Sequence, residues 1–228
     1  MAQTRKPDQW IVVDDGNIPH APACACDYIR RQPQPDDPRH TMIINMKAAI
    51  PHITGDFVLI MEDDEYYAPR YIEEMAKRLQ EFEIVGIGRS KYYHVPARRC
   101  LRHDNLGHAS LAQTGFRRSF LPEVLSVLDG NSFLDIRMWK LVNGESAPKC
   151  DAKDRTETER ISKDGRGLIF DDGEDDCLYV GIKGLPGRKG IGSGHEAVNN
   201  NSYHDDEDLS VLRKWIPEDH PGYADLGD

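Results

Sequence analysis

Asp56-Phe57-Val58-Leu59-Ile60-Met61-Glu62-Asp63-Asp64-Glu65, residues 56–65, is the stretch on which the reading of this chain turns. The run is apolar up to Met61 and reads as a buried strand. Thr54-Gly55 breaks the chain before it, and four carboxylates follow it without a spacer. Downstream, Pro69 suits the first turn of a helix because no donor is needed there. Tyr71, Ile72, Met75 and Leu79 then share one helical face. Upstream, the spacing predicts a helix from Asn45 to about His52, and the Pro- and charge-rich residues 31–40 read as a loop. Trp10-Ile11-Val12-Val13 reads as a second buried strand, ending at Asp14-Asp15-Gly16.

Further along, Ile84 to Ile87 reads as a strand and Gly107 to Phe116 as extended. Leu121 to Leu128 and Phe133 to Leu141 read as helices, and residues 144–167 as a polar insertion or surface hairpin. Leu168 to Phe170 and Cys177 to Ile182 are strand candidates around the acidic run DDGEDD, which reads as a solvated turn. The glycine-rich loop GLPGRKGIGSGH, residues 184–195, precedes a last helix over Leu209 to Trp215. Strands alternating with helices predict an α/β sheet covered on both faces, with ligands at the carboxyl ends of the strands. Asp14-Asp15 and Glu62-Asp63-Asp64 both fall at such ends.

Four adjacent carboxylates repel one another, and burial makes that worse unless a positive charge joins them. A divalent cation bridging to phosphate oxygens resolves the conflict, since Mg2+ and Mn2+ favour one or two carboxylates plus substrate phosphates. The same residues also fit a solvated acidic turn at a helix N-terminus. Asp14-Asp15-Gly16 fits either a contact to base or ribose or an ordinary Asp-Gly turn. In the glycine-rich loop, backbone amides with Lys183, Arg188 and Lys189 suit phosphate, and the closing His195 suits a metal. The loop lacks Walker A spacing and equally fits a flexible surface segment. Asp135 sits near a helix start between apolar residues, where a carboxylate serves as a general base or as a helix-terminal charge.

A chain of 228 residues with 39% apolar residues is long enough to bury a core as one domain. Within it, residues 8–105 and 106–228 read as two parts of that one domain. The net charge of −10 gives no general attraction to nucleic acid or anionic membrane. No apolar run approaches the ~20 residues that span a bilayer, and the N-terminus lacks an apolar signal core. The expectation is a cytoplasmic protein whose five cysteines, irregularly spaced, are reduced thiols.

Taken together, WIVVDDG and NMKAAIPHITGDFVLIMEDDEYYAPRYIE resemble the nucleotide-binding half of GT-A glycosyltransferases of the family 2-like group. The resemblance implies a Rossmann-like α/β sheet flanked by helices, a nucleotide-sugar donor such as a UDP-sugar, and Mn2+ or Mg2+. Glu62-Asp63-Asp64 matches the family's DXD motif. Asp64 is then a metal ligand, Glu62 or Asp63 helps to hold the ribose or metal, and Asp14 and Asp15 contact the base. The segments Gly107 to Ser110 and Phe116 to Ser119 match the donor-sugar and acceptor pocket, which brings in Arg117. Asp135 falls where the catalytic base is expected, His195 matches a loop histidine that completes the metal site, and Arg188 and Lys189 are diphosphate candidates. The family opens with a strand and a nucleotide loop before its Asp-Asp-Gly strand. Here that strand begins at Trp10, so the sheet is expected to lack the first strand. The implied reaction is sugar transfer, with inversion, to an acceptor hydroxyl on a glycan or on a modified DNA base as in phage. Two rival readings are a nucleotidyltransferase and a non-catalytic nucleotide-sugar-binding relative.

Overall fold

Phe57-Val58-Leu59 is a strand, as the apolar run requires, in a computed structural model that describes residues 3–38, 40–103, 105–128, 133–144, 158–175, 177–186 and 202–224. In chain order the described elements are β1 (Ile11–Asp14), β2 (Asp27–Arg30), α1 (Met42–Ala49), β3 (Phe57–Leu59), β4 (Tyr66–Tyr67) and α2 (Tyr71–Arg78). They continue with β5 (Ile84–Ile87), β6 (Lys91–His94), β7 (Arg99–Arg102), β8 (Thr114–Arg117), α3 (Leu121–Ser126) and α4 (Leu134–Asn143). The last are β9 (Glu159–Ile161), β10 (Gly167–Phe170), β11 (Tyr179–Lys183), β12 (His204–Asp205), α5 (Ser210–Trp215) and α6 (His220–Ala224).

The central sheet has the order β3-β8-β5-β10-β9. β5 and β10 are parallel, while β8 runs antiparallel between β3 and β5, so β3, β5 and β10 point the same way. Both faces are covered, because alternate residues of one strand serve opposite layers. Val85, Ile87, Leu168 and Phe170 pack with Tyr71, Ile72, Met75 and Leu79 on or just beyond α2. Ile84 and Ile169 pack with Val124 of α3 and with Leu134, Met138, Trp139 and Val142 of α4. Fully burying each of the larger apolar side chains stabilises by about 1.5–3 kcal/mol, so α2 is held mainly by this face.

A second sheet, β12-β7-β6-β11-β4, packs Tyr93, Val95, Cys100, Val180 and Ile182 against Leu212 and Trp215 of α5. β1 and β2 form a separate parallel pair against α1. No ladder joins β1 to β3 among the described residues, so the sheet is interrupted between the two acidic strand ends.

Of two expectations for the loops, one changes and one holds. The segment from Gly107 to Phe116 is not extended throughout, since a 3-10 turn occupies Leu111–Gln113 and the strand begins at Thr114. Asn105 Oδ1 accepts the Gly107 amide at 2.9 Å, and Thr114 Oγ1 donates to the Ser110 carbonyl at 2.7 Å. Those local bonds compete with a ladder. In the polar stretch 144–167 the hairpin reading agrees with the structure, since β9 pairs antiparallel with β10, while residues 145–157 lie outside the described residues.

α4 runs against the strand direction, which fixes where its first turn lies. Near its C-terminus the Asp164 amide donates to the Val142 carbonyl, and Val142 lies beside Gly167 at the start of β10. Midway, Trp139 covers Gly86 in β5. Its N-terminus therefore reaches the carboxyl edge of the sheet.

Candidate active site

The chain beyond β3 turns sharply because Tyr67 holds it. The Glu62 amide donates to Tyr67 Oη at 2.9 Å, and that hydroxyl donates to the Ala112 carbonyl at 3.1 Å. Within this turn Glu62, Asp64 and Glu65 each offer an oxygen, and all three lie within 4.8 Å of one another. Asp63 is exposed.

Burial first, then the charges of Asp64, Asp63 and Asp135, push the Glu62 carboxyl above its ordinary range, against the opposing pull of Lys183. Glu65 is pushed up to about 7, again chiefly by burial and against Lys183. Its side chain is almost fully enclosed, with Oε1 2.5 Å from Lys183 Nζ and Oε2 accepting the Ile182 amide at 2.5 Å. Glu65 therefore fastens the acidic turn to β11, and Lys183 belongs to a buried ion pair rather than to an exposed loop. Both followed from adjacent residues in the sequence, but the long-range pairing had no local signal.

Asp135 lies in the first turn of α4, half-buried at the same edge. Its charge acts on Glu62, on Tyr92 and on His108. His108 comes from the segment that crosses the end of β5, where Ala109 meets Gly86 and Leu106 meets Gly88. Burial lowers the pKa of its imidazole, opposed by Asp135, and Asn105 Nδ2 lies 3.2 Å from its Nδ1. The sequence pattern brought forward Glu62, Asp64 and Asp135, and the fold gathers them at one edge. Glu65, Lys183 and His108, which the sequence reading also singled out, meet there in other company than expected, and the fold adds Tyr92.

Asp14 ends β1 and Asp15 follows it, and their contacts stay within the unit of β1, β2 and α1. Asp14 accepts from the Gly16 and His20 amides and from Tyr28 Oη, and pairs with Arg30 at 3.1 Å. The Tyr28 hydroxyl, then those amides, hold its carboxyl down to about 2. Asp15 pairs with Arg31 at 2.8 Å. Burial raises its pKa, but hydrogen bonds from Thr41, Arg31 and Asn45 outweigh that and leave it lowered.

Arg117 must be reassigned. It pairs with Phe57 at the start of β3, the opposite end of that strand from Glu62. Its guanidinium donates to the Leu79 carbonyl at 2.6 Å and to the Gln80 carbonyl, closing the end of α2. An open groove of about 690 Å3 lies there, lined by Asp56, Phe57, Gln80, Arg117, Arg118 and Ser119. It is remote from the acidic turn. The DDGEDD run is likewise not simply solvated. Asp171 and Asp172 are buried and meet Arg89, Lys91 and Arg102, tying the end of β10 to β6 and β7. Arg188, Lys189 and His195 lie outside the described residues.

The donor set of the acidic turn is all oxygen, which suits a hard divalent cation such as Mg2+ or Mn2+. No helix among the described residues is long and apolar enough to cross a membrane. A search of curated proteins finds no match. A family model does match, over residues 1–135, and its description is Glycosyl transferase family 2. The mixed sheets with flanking helices agree with the GT-A fold of that family. More than half of the chain is covered, and the chain belongs to glycosyl transferase family 2.

Proposed function

We propose that this chain transfers a sugar from a UDP-sugar to an acceptor hydroxyl with inversion, using Mn2+ or Mg2+. The observation that carries the reading is the meeting of Glu62, Asp64 and Glu65 at the carboxyl edge of a family 2 sheet, with Asp135 close by. Glu62 and Asp64 would hold the cation, and Glu65, steadied by Lys183, would position them. When bound, the cation supplies Lewis-acid stabilisation of the diphosphate leaving group. Asp135 accepts the acceptor proton as the hydroxyl attacks. Asp14 and Asp15 flank the base, Asp63 the ribose, Arg188 and Lys189 the diphosphate, and His195 completes the metal site.

Product analysis tests this reading. UDP released from a UDP-sugar, with sugar appearing on an acceptor, is the expected result. Pyrophosphate released from UTP instead would identify a nucleotidyltransferase. The interruption between β1 and β3 favours a second reading, a binding protein without turnover. Metal-dependent UDP-sugar binding with no UDP release across a broad acceptor panel would establish it.

A further inference from the structure

Phe133 is a large apolar residue that stands mostly open to solvent. It precedes α4 with φ 65° and ψ 44°, a left-handed conformation that bulky side chains rarely adopt. Its side chain is 64% exposed, while its neighbours Leu134, Met138 and Trp139 enter the core. The other exposed large apolar side chains among the described residues are Ile18, Leu125 and Ile161, so Phe133 is the aromatic one of the four. Two residues on is Asp135, in the first turn of α4, the end of that helix that reaches the carboxyl edge of the sheet. A strained backbone thus holds an exposed aromatic residue at the N-terminus of α4, by the carboxyl edge of the sheet.

We propose that Phe133 is an acceptor-binding residue on which the apolar face of a neutral pyranose ring stacks, beside Asp135. The proposal rests on the glycosyltransferase reading and narrows its acceptor to a neutral glycan. A pyranose carries C–H bonds on one face and hydroxyls around its edge. Stacking that face on an aromatic ring removes apolar surface from water and leaves the edge free to meet a base. An exposed ring would also accept a nucleobase. Here charge decides, because Asp63 and Asp135, in a chain of net charge −10, repel a polyanion while a neutral sugar is indifferent to them.

The test uses the full chain with UDP and Mn2+, as wild type, Phe133→Ala and Phe133→Tyr. Calorimetry measures UDP binding, and saturation-transfer NMR measures binding of cellobiose, maltose, N,N'-diacetylchitobiose and a short single-stranded oligonucleotide. We expect a disaccharide to receive saturation at its ring C–H protons in wild type and Phe133→Tyr. Phe133→Ala should weaken it about fivefold to tenfold, the scale of an aromatic stacking contact, with UDP affinity unchanged. Unchanged UDP affinity also shows that the variant folds. No disaccharide bound by the wild type, equal binding by Phe133→Ala, or preference for the oligonucleotide would overturn the proposal while the donor reading survives. Absence of UDP binding to the wild type would remove the parent reading and this proposal with it.

Discussion

Gly86→Ala is the most informative single perturbation of this architecture. An added Cβ would lie 2.4 Å from Ala109 Cβ and 2.6 Å from Trp139 Cζ2. Ordinary contact needs about 1 Å more on each side, and both neighbours are fully buried, so neither can retreat into solvent. Overpacking of this kind costs about 1–3 kcal/mol. The lost freedom of the unfolded chain returns only about 0.4–1 kcal/mol, so the variant should be destabilised by about 1–2 kcal/mol. For a chain of this length that lowers the melting temperature by about 2–4 °C per kcal/mol. The functional effect should exceed the loss of stability. Ala109 carries His108 and Trp139 carries α4 with Asp135, so one methyl pushes both walls of the site. Thermal unfolding by near-ultraviolet circular dichroism, with UDP release measured well below the transition, would read both effects. Gly55→Ala is the control, since its Cβ would meet nothing closer than the Phe57 carbonyl at 3.5 Å. A Gly86→Ala protein that melts at or above the wild-type temperature would refute the seating of Trp139 on β5, and with it the placement of Asp135.

Lys91→Met should destabilise by about 3–5 kcal/mol in urea unfolding, because it leaves Asp172 buried without its cation; a loss under 1 kcal/mol would mean the network is solvated. Tyr28→Phe tests the low pKa of Asp14. A carboxyl lowered from 3.8 to about 2 contributes stability that is present above pH 4 and lost as pH falls toward 2. Solvent screening at this surface-proximal group reduces the contribution to about 1 kcal/mol, and the variant should lose most of it at pH 7 and little at pH 2. Asp135→Asn should leave UDP affinity intact and lower turnover by about 10²–10⁴-fold. A wild-type rate in steady-state assays would make Asp135 a helix-terminal charge.

The central layers were legible in the sequence because burial on both faces leaves continuous apolar runs. β5 falls on the run Ile84 to Ile87, and the periodic Tyr71, Ile72, Met75 and Leu79 mark the inner face of the α2 region. Acidic residues after an apolar run likewise pointed to Glu62 and Asp64. The second sheet was harder to read. Lys91-Tyr92-Tyr93-His94 and Arg99-Cys100-Leu101-Arg102 carry charge in strands, and Arg98 turns the hairpin at φ 47° without a glycine to announce it. Lys91 is tolerated there only because Asp172 arrives from a segment 81 residues away. Arg117 misled because sequence proximity to the acceptor segment does not reveal strand direction, and in the antiparallel β8 it points to the far edge. Glu65 shared its signal with three neighbours, and only the distant Lys183 distinguishes its role.

Calorimetry of UDP binding with Mn2+ and then in excess EDTA tests the central claim most directly, with Asp64→Ala measured alongside. The account predicts binding by the wild type with Mn2+, loss of binding in EDTA, and loss in Asp64→Ala even with Mn2+, since the acidic turn repels diphosphate unless a cation intervenes. Equal UDP affinity with and without EDTA would contradict it.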